Sequence, residues 1–252
     1  VPQGDIKMGI DIRAMQKKLD KLNNKGKSTT ESAFWKPEDG VHEVRVLPTP
    51  DGDPFKEFWF HYNVGNQSVM CPKRNFGEDC PICEFATKLF KSGEPDSVAA
   101  AKDLFVRQRF LSPILVRGSE KDGVKVWSYS KTVYEELLKT VLDPDFGDIT
   151  DPENGFDLKV DKGKKNGARY STMGVKPKPK SSAMCKGLGS QECKELLDSV
   201  PDLSTIFTRM STKEVQAALD KHLAEPDETS VGLEKGGGVD NAVDAAIREL
   251  DL

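Results

Sequence analysis

The stretch FKEFWFHYNVGNQSVMCPKRNFGEDCPIC, residues 55–83, decides how the rest of the chain is read. Its first ten residues, Phe55–Val64, are rich in aromatics and alternate, the pattern of a half-buried strand. Cys71, Cys80 and Cys83 follow, the last two on one CPIC step, with His61 ten residues before Cys71. A CxxC step puts two thiolates on one tight turn, both able to face one ion. Zn2+ takes four soft or borderline ligands in a tetrahedron, so three Cys and one His complete a closed site with no position left for water. Such a site is structural: one zinc would tie the strand carrying His61 to the turn and helix after Cys83, at Glu84–Lys91. His42, Cys185 and Cys193 stay open as substitutes for the fourth ligand. Ordinary buried thiols or a redox pair fit less well, because a third Cys stands nearby and no thioredoxin-like pattern surrounds the CxxC.

Outward from that stretch the pattern is mixed. His42–Leu47 (HEVRVL) alternates and is closed by Pro48, Pro50 and the Asp51-Gly52 turn. Phe105–Val116 is a long β-prone run interrupted at Pro113, and Val124–Tyr129 returns from it through Asp122-Gly123 as a hairpin. Residues 131–142 (KTVYEELLKTVL) predict a helix with Val133, Leu137, Leu138, Val141 and Leu142 on one face. Phe156–Val160 and Ala168–Val175 read as a strand pair around Lys162–Gly167, and helices return near 191–199 and 211–223. At the start, Ile10, Ala14, Met15, Leu19 and Leu22 space a short amphipathic helix that Asn23–Lys27 ends. Short strands around helical insertions predict an α+β protein built on a small β-barrel with extra elements.

The chain has 252 residues, 37% hydrophobic and 31% charged, so part of it is expected to stay outside any core. Its formal charge of −4, taken whole, speaks against a nucleic-acid partner. Split along the chain it says something else. Residues 1–36 carry eight basic against four acidic side chains, a net of +4. Residues 225–252 carry two basic against eight acidic, a net of −6, which leaves −2 for the body between them. The acidic segment contains a flexible hinge at Gly236-Gly237-Gly238. No window approaches the run of about 20 apolar residues that spans a bilayer, and no apolar secretory segment opens the chain. Five Cys, an odd count in a chain of this size, predict a reducing compartment.

Within the body, cations and aromatic rings interleave, which is what a single-stranded nucleic acid needs: charges for its phosphates and flat faces for its bases. Lys102, Arg107, Arg109 and Phe110 form one group; Lys125, Trp127, Tyr129 and Lys131 form a second. Lys159, Lys162, Lys164, Lys165, Arg169, Tyr170, Lys176, Lys178 and Lys180 form a third, opposed by Asp161 alone. Alternation puts Arg107 and Arg109 on one face of a strand and Trp127 and Tyr129 on one face of another, and either face could be core instead. Lys176-Pro177-Lys178-Pro179-Lys180 reads as an extended, polyproline-like rim or a plain linker. Nothing reads as an enzyme: there is no P-loop, no GxSxG and no HExxH. A zinc-scaffolded protein-interaction module that binds no DNA is the alternative.

Taken in order, these residues resemble the single-stranded-DNA-binding (helix-destabilising) protein family of T-even-type bacteriophages. The likeness rests on Lys21–Gly26 with Trp35-Lys36, on Val44–Pro48, on His61 with Cys71, Cys80, Pro81 and Cys83, on Val106–Val116, on Lys125–Tyr129, and on an acidic end closing in Leu250-Asp251-Leu252. The resemblance implies a five-stranded OB-fold barrel with a zinc subdomain at about 55–92 and peripheral helices. It implies a basic N-terminal arm for self-association (1–27), a DNA-binding core (28–224) and an acidic tail (225–252). The tail would contact replication and recombination proteins and compete with DNA for the cleft. Cooperative, sequence-nonspecific binding in replication, recombination and repair, in the cytoplasm of an infected bacterium, is the implied setting. Phe110, Tyr129 and Tyr170 match aromatic positions at the family's cleft, and Arg107, Arg109 and Arg169 match basic ones nearby. Two departures stand out: Asp5–Gly9 replaces the family's Lys/Arg-Ser/Thr run, and the acidic tail is shorter.

Overall fold

Pro72, Pro81 and Pro95 each stand at the start of a helix, where the missing N–H costs nothing and the fixed φ is already helical. They punctuate the segment between the second and fourth long β runs into three helices. The computed structural model describes residues 33–164 and 171–224. Within them lie β1 (Gly40–Val46), β2 (Lys56–Val64), β3 (Gln67–Met70), α1 (Pro72–Phe76), α2 (Pro81–Ser92), α3 (Pro95–Leu104), β4 (Arg107–Val116), β5 (Lys125–Tyr129), α4 (Lys131–Leu142), β6 (Phe156–Gly163), β7 (Thr172–Ser181), α5 (Ser190–Asp198) and α6 (Thr212–Ala224). The α+β class follows. No described helix is long and apolar enough to cross a membrane.

The strands form one antiparallel sheet in the order β3-β2-β4-β1-β6-β7, with β5 also on β4. β4 holds it together. It pairs with β2 through Arg107–Leu111, with β1 through Ile114–Val116, and with β5 through Phe110–Ile114. Pro113 therefore does not end the strand. It sits where β2 gives way to β1, with its carbonyl accepting from the Leu47 N–H at 2.9 Å, so the N–H it lacks falls at a change of partner.

Five of the strands surround the main core. Val44 and Val46 of β1, Phe110 and Ile114 of β4, Trp127 and Tyr129 of β5, Leu158 and Val160 of β6 and Val175 of β7 pack together, with Val133 and Leu137 of α4 laid against them. The opposite face of the sheet is covered piecemeal. Phe58, Phe60, Tyr62, Leu111 and Val126 meet Leu203, Ile206 and Phe207. Leu47 and Leu115 meet Met184 and Leu196. α2 and α6 close over Val64 and Val69. There Gly65, at φ +58°, lets α6 come so near that an added Cβ would lie 2.8 Å from the Ala218 carbonyl oxygen.

The sheet departs from the expected five-stranded barrel in two respects. It has seven strands, because the β2–β3 hairpin that carries His61 joins the same ladder, and its hydrogen-bonded path is open. Among the described residues no pairing of β5 with β7 closes it.

Two other expectations change. Lys176–Lys180 is neither a polyproline-like rim nor a linker but the second half of β7, with Pro177 opposite Leu158. β7 is the last strand of the path, so prolines there break no second ladder. Cys185 and Cys193, held open as substitute metal ligands in the sequence, form a disulfide across the start of α5, with Cα atoms 5.6 Å apart. That pairing also departs from the all-thiol chemistry expected of a reducing compartment. Arg45, on which the sequence reading is silent, is fully buried. Residues 182–184 fold over it: its guanidinium donates to the Ser182 carbonyl at 2.7 Å, to the Asp151 carbonyl at 2.9 Å and to Asp157 Oδ1 at 3.3 Å. Arg117 donates to the same Asp157 oxygen at 2.7 Å and to the Met184 carbonyl at 2.7 Å.

Candidate metal centre and nucleic-acid interface

The ligand atoms of His61, Cys71, Cys80 and Cys83 lie within 4.8 Å of one another. Each comes from a different local device. His61 points from β2. Cys71 precedes Pro72 of α1, and its N–H donates to the Trp59 carbonyl at 2.8 Å, which holds it against the strand. Cys80 caps α2 in extended conformation just before Pro81, and Cys83 follows one turn later, so the two thiols of the CPIC step share one side of the helix start. A helix N-terminus favours negative charge, which suits thiolates. The glycine after α2, Gly93, takes the left-handed conformation (φ 76°) that ends the helix.

The spacing of these atoms tests the metal directly. Zn–S of about 2.3 Å and Zn–N of about 2.0 Å make tetrahedron edges of about 3.8 Å between sulfurs and about 3.5 Å between sulfur and nitrogen. Cys71 Sγ and Cys83 Sγ are 3.6 Å apart, and His61 Nε2 is 3.4 Å from both Cys80 Sγ and Cys83 Sγ. The four residues fit one tetrahedral ion. His61 Nδ1 donates to the Leu104 carbonyl at 2.8 Å, which fixes the ring and leaves the Nε2 lone pair aimed at the three sulfurs. The Asn75 amide supports Cys71 from behind, donating to its carbonyl at 2.9 Å and to the Trp59 carbonyl at 2.8 Å. Hydrogen bonds from Cys80 and Cys83 lower Cys71, while the reciprocal bonds and burial raise Cys83. A bound cation would hold all three as thiolates.

The alternative ligands lie elsewhere. His42 Nε2 meets the Glu38 carbonyl at 2.9 Å, its ring edge-on to Trp35, and Cys185 and Cys193 bond to each other.

Among the described residues, the aromatic rings expected at DNA are not at the surface. Phe110, Trp127 and Tyr129 are 2%, 0% and 1% exposed. Phe110 stacks on Tyr134 at 3.8 Å, Trp127 meets Tyr129 at 4.5 Å and Trp35 edge-on at 5.9 Å, and the Tyr129 hydroxyl shares a 2.7 Å hydrogen bond with Ser112. Their ring faces are occupied by one another. Arg107 and Arg109 do share a face, as alternation predicts, but it is the opposite face of β4 from Phe110. Arg107 is exposed and lies over Tyr62, 6.0 Å from its ring centre; Arg109 is buried. Lys131 opens α4 in the solvent, 3.7 Å from Glu135. Lys164 is exposed just past the end of β6. Lys176 is exposed directly across from Lys159, an unfavourable pair of like charges on neighbouring strands, and Lys178 bonds Glu43 at 2.8 Å. Lys165, Arg169 and Tyr170 lie outside the described residues.

Sequence reading passed over Arg74, whose guanidinium lies 5.4 Å from the ring centre of half-buried Trp59, and Arg209, 4.5 Å from that of exposed Phe76. Both are cation–π pairs on the metal-bearing side of the sheet. Trp59 stands in the quoted aromatic stretch, but its cation comes from another element, so no local spacing announces the pair.

No curated protein matches the chain. A family model described as gp32 DNA binding protein like matches residues 38–224, which take in the metal cluster, all seven strands and all six described helices. The chain belongs to this gp32-like family of DNA-binding proteins.

Proposed function

We propose that this protein coats single-stranded DNA without regard to sequence, during the replication, recombination and repair of a bacteriophage genome in the cytoplasm of its host. The observation that carries the reading is the family match over residues 38–224, supported by a four-ligand cluster in which three separations have the length of a zinc tetrahedron's edges. The function is binding, not turnover. Zinc, held by His61, Cys71, Cys80 and Cys83, is a scaffold that pins β2 to α1 and α2.

The core is read as an OB-type barrel. Strands β5-β4-β1-β6-β7 surround one core, and α4 lies between β5 and β6. A five-stranded, partly open barrel of this kind is a recurrent platform for oligonucleotides. The metal-bearing hairpin and helices are then an insertion between its first two strands. Exposed Arg107, Lys131, Lys164 and Lys176 and half-buried Lys178 are proposed to track phosphates, joined by Arg109, Lys165 and Arg169. Tyr170 is the proposed stacking ring. Residues 1–27 are proposed to bind the neighbouring protomer, and residues 225–252, at a net −6, to compete with DNA and recruit replication and recombination proteins.

Tryptophan fluorescence tests this cheaply, because Trp59 is half-buried beside Arg74. Oligo-dT should quench it, and duplex of the same length should fail to compete. Equal competition by duplex refutes the reading, and no binding at all refutes it in favour of the protein-interaction alternative.

A further inference from the structure

The four metal ligands are not equally enclosed. His61 and Cys71 are fully buried and Cys80 is 1% exposed, whereas Cys83 is only half-buried. Cys83 also reaches a pocket of about 350 Å3 whose other walls include His61, itself without exposed surface, and Lys73, Arg74, Thr87 and Phe105. Lys73 and Arg74 come from α1 and Phe105 precedes β4, so the pocket opens between the metal helices and the sheet. Two exposed cations in its lining raise the local concentration of small anions.

We propose that Cys83 is the modification site of the metal centre: the one of its three thiols that electrophiles reach from solvent, through a pocket that favours anionic reagents. In the reaction the Cys83 sulfur attacks the carbon of an alkylating agent. The S–C bond forms as the carbon–halogen bond breaks, and the halide leaves with the bonding pair. The product is a neutral thioether, a far poorer zinc ligand than a thiolate, so the site drops to three good ligands. Cys71, Cys80 and Cys83 pack in the same cluster as Val215, Ala218 and Leu219 of α6, so alkylation also loosens the seat of that helix. The centre thereby gains a chemical sensitivity that a fully enclosed one would lack.

Brief alkylation of the zinc-loaded full-length protein, followed by peptide mass spectrometry and a chromogenic assay of released zinc, tests the proposal. Cys83 should be labelled about tenfold faster than Cys71 or Cys80, with zinc released in step with Cys83 labelling. Relative to free cysteine, iodoacetate should be favoured over iodoacetamide, and Lys73→Glu should reverse that preference by about tenfold. Arg74→Gln should weaken it in the same direction. Labelling of Cys71 or Cys80 as fast as Cys83 overturns the assignment of the site. An iodoacetate-to-iodoacetamide ratio unchanged by Lys73→Glu overturns the role of the pocket.

Discussion

Phe110 is where the sequence and the structure disagree most sharply, and its substitution separates the two readings by experiment. As a ring at the DNA surface, Phe110→Ala would cost about 1–3 kcal/mol of oligonucleotide affinity and leave folding almost untouched. As a core ring it should do the reverse. Phe110 is 2% exposed and stacks on Tyr134 at 3.8 Å, with Tyr129 parallel to it at 6.2 Å. Truncating such a ring removes its buried area and leaves a cavity between two aromatics that cannot both collapse into it, a loss of about 3–5 kcal/mol of stability. Phe110→Leu keeps most of the volume and should cost about 1–2 kcal/mol. Urea unfolding gives the stability of each variant, and oligo-dT titration at low temperature, where both variants are still folded, gives the affinity. The core reading expects the midpoint to fall in the order wild type, Leu, Ala, with affinity per folded molecule unchanged. A variant that unfolds like wild type but binds at least tenfold more weakly refutes it.

Other substitutions probe the remaining parts. Asp157→Ala should destabilise by about 3–5 kcal/mol in urea, because it strips the counter-charge from fully buried Arg45 and from Arg117; pairing it with Arg45→Met should recover part of the loss. Cys80→Ser should abolish stoichiometric zinc and lower the melting temperature, and a strong chelator should do the same to the wild type, as read by metal analysis and calorimetry. Acid should weaken the start of α6. Glu214 accepts from the N–H and hydroxyl of Ser211, whose Oγ in turn accepts from the Glu214 N–H, and these bonds lower the Glu214 carboxyl below its ordinary value. A depressed folded value means its contribution is complete above the unfolded value and is lost as pH falls through the folded one, so Glu214→Gln should flatten the stability profile below about pH 4.5.

The metal cluster was legible because its ligands sit within 23 residues and the CPIC step has a single geometric meaning. α4 and the β4–β5 hairpin were legible for a similar reason, since periodicity and a turn signal are both local. Which face of a strand is buried is not local. Alternation put Trp127 and Tyr129 together and Arg107 and Arg109 together, but only the packing of α4, β6 and β7 made the ring side the interior. Arg45 went unremarked for the same reason: its burial depends on Asp157 and on residues 182–184, more than a hundred positions away. The prolines of β7 concealed a strand because their tolerance depends on an edge position that only the full sheet order reveals. α3 was missed outright. Its apolar side is little more than Ala101 and Leu104, packed beneath the metal helices, too thin a stripe to stand out.

The central claim is that this fold binds the phosphate backbone of single strands. Affinity for oligo-dT measured across a range of salt concentrations tests it most directly. Each phosphate neutralised on a single strand contributes about −0.7 to the slope of log affinity against log salt. A straight line with a slope of several such steps, together with weak binding to duplex at every salt concentration, is the predicted result. A flat line, or a duplex affinity equal to that for oligo-dT, contradicts the account.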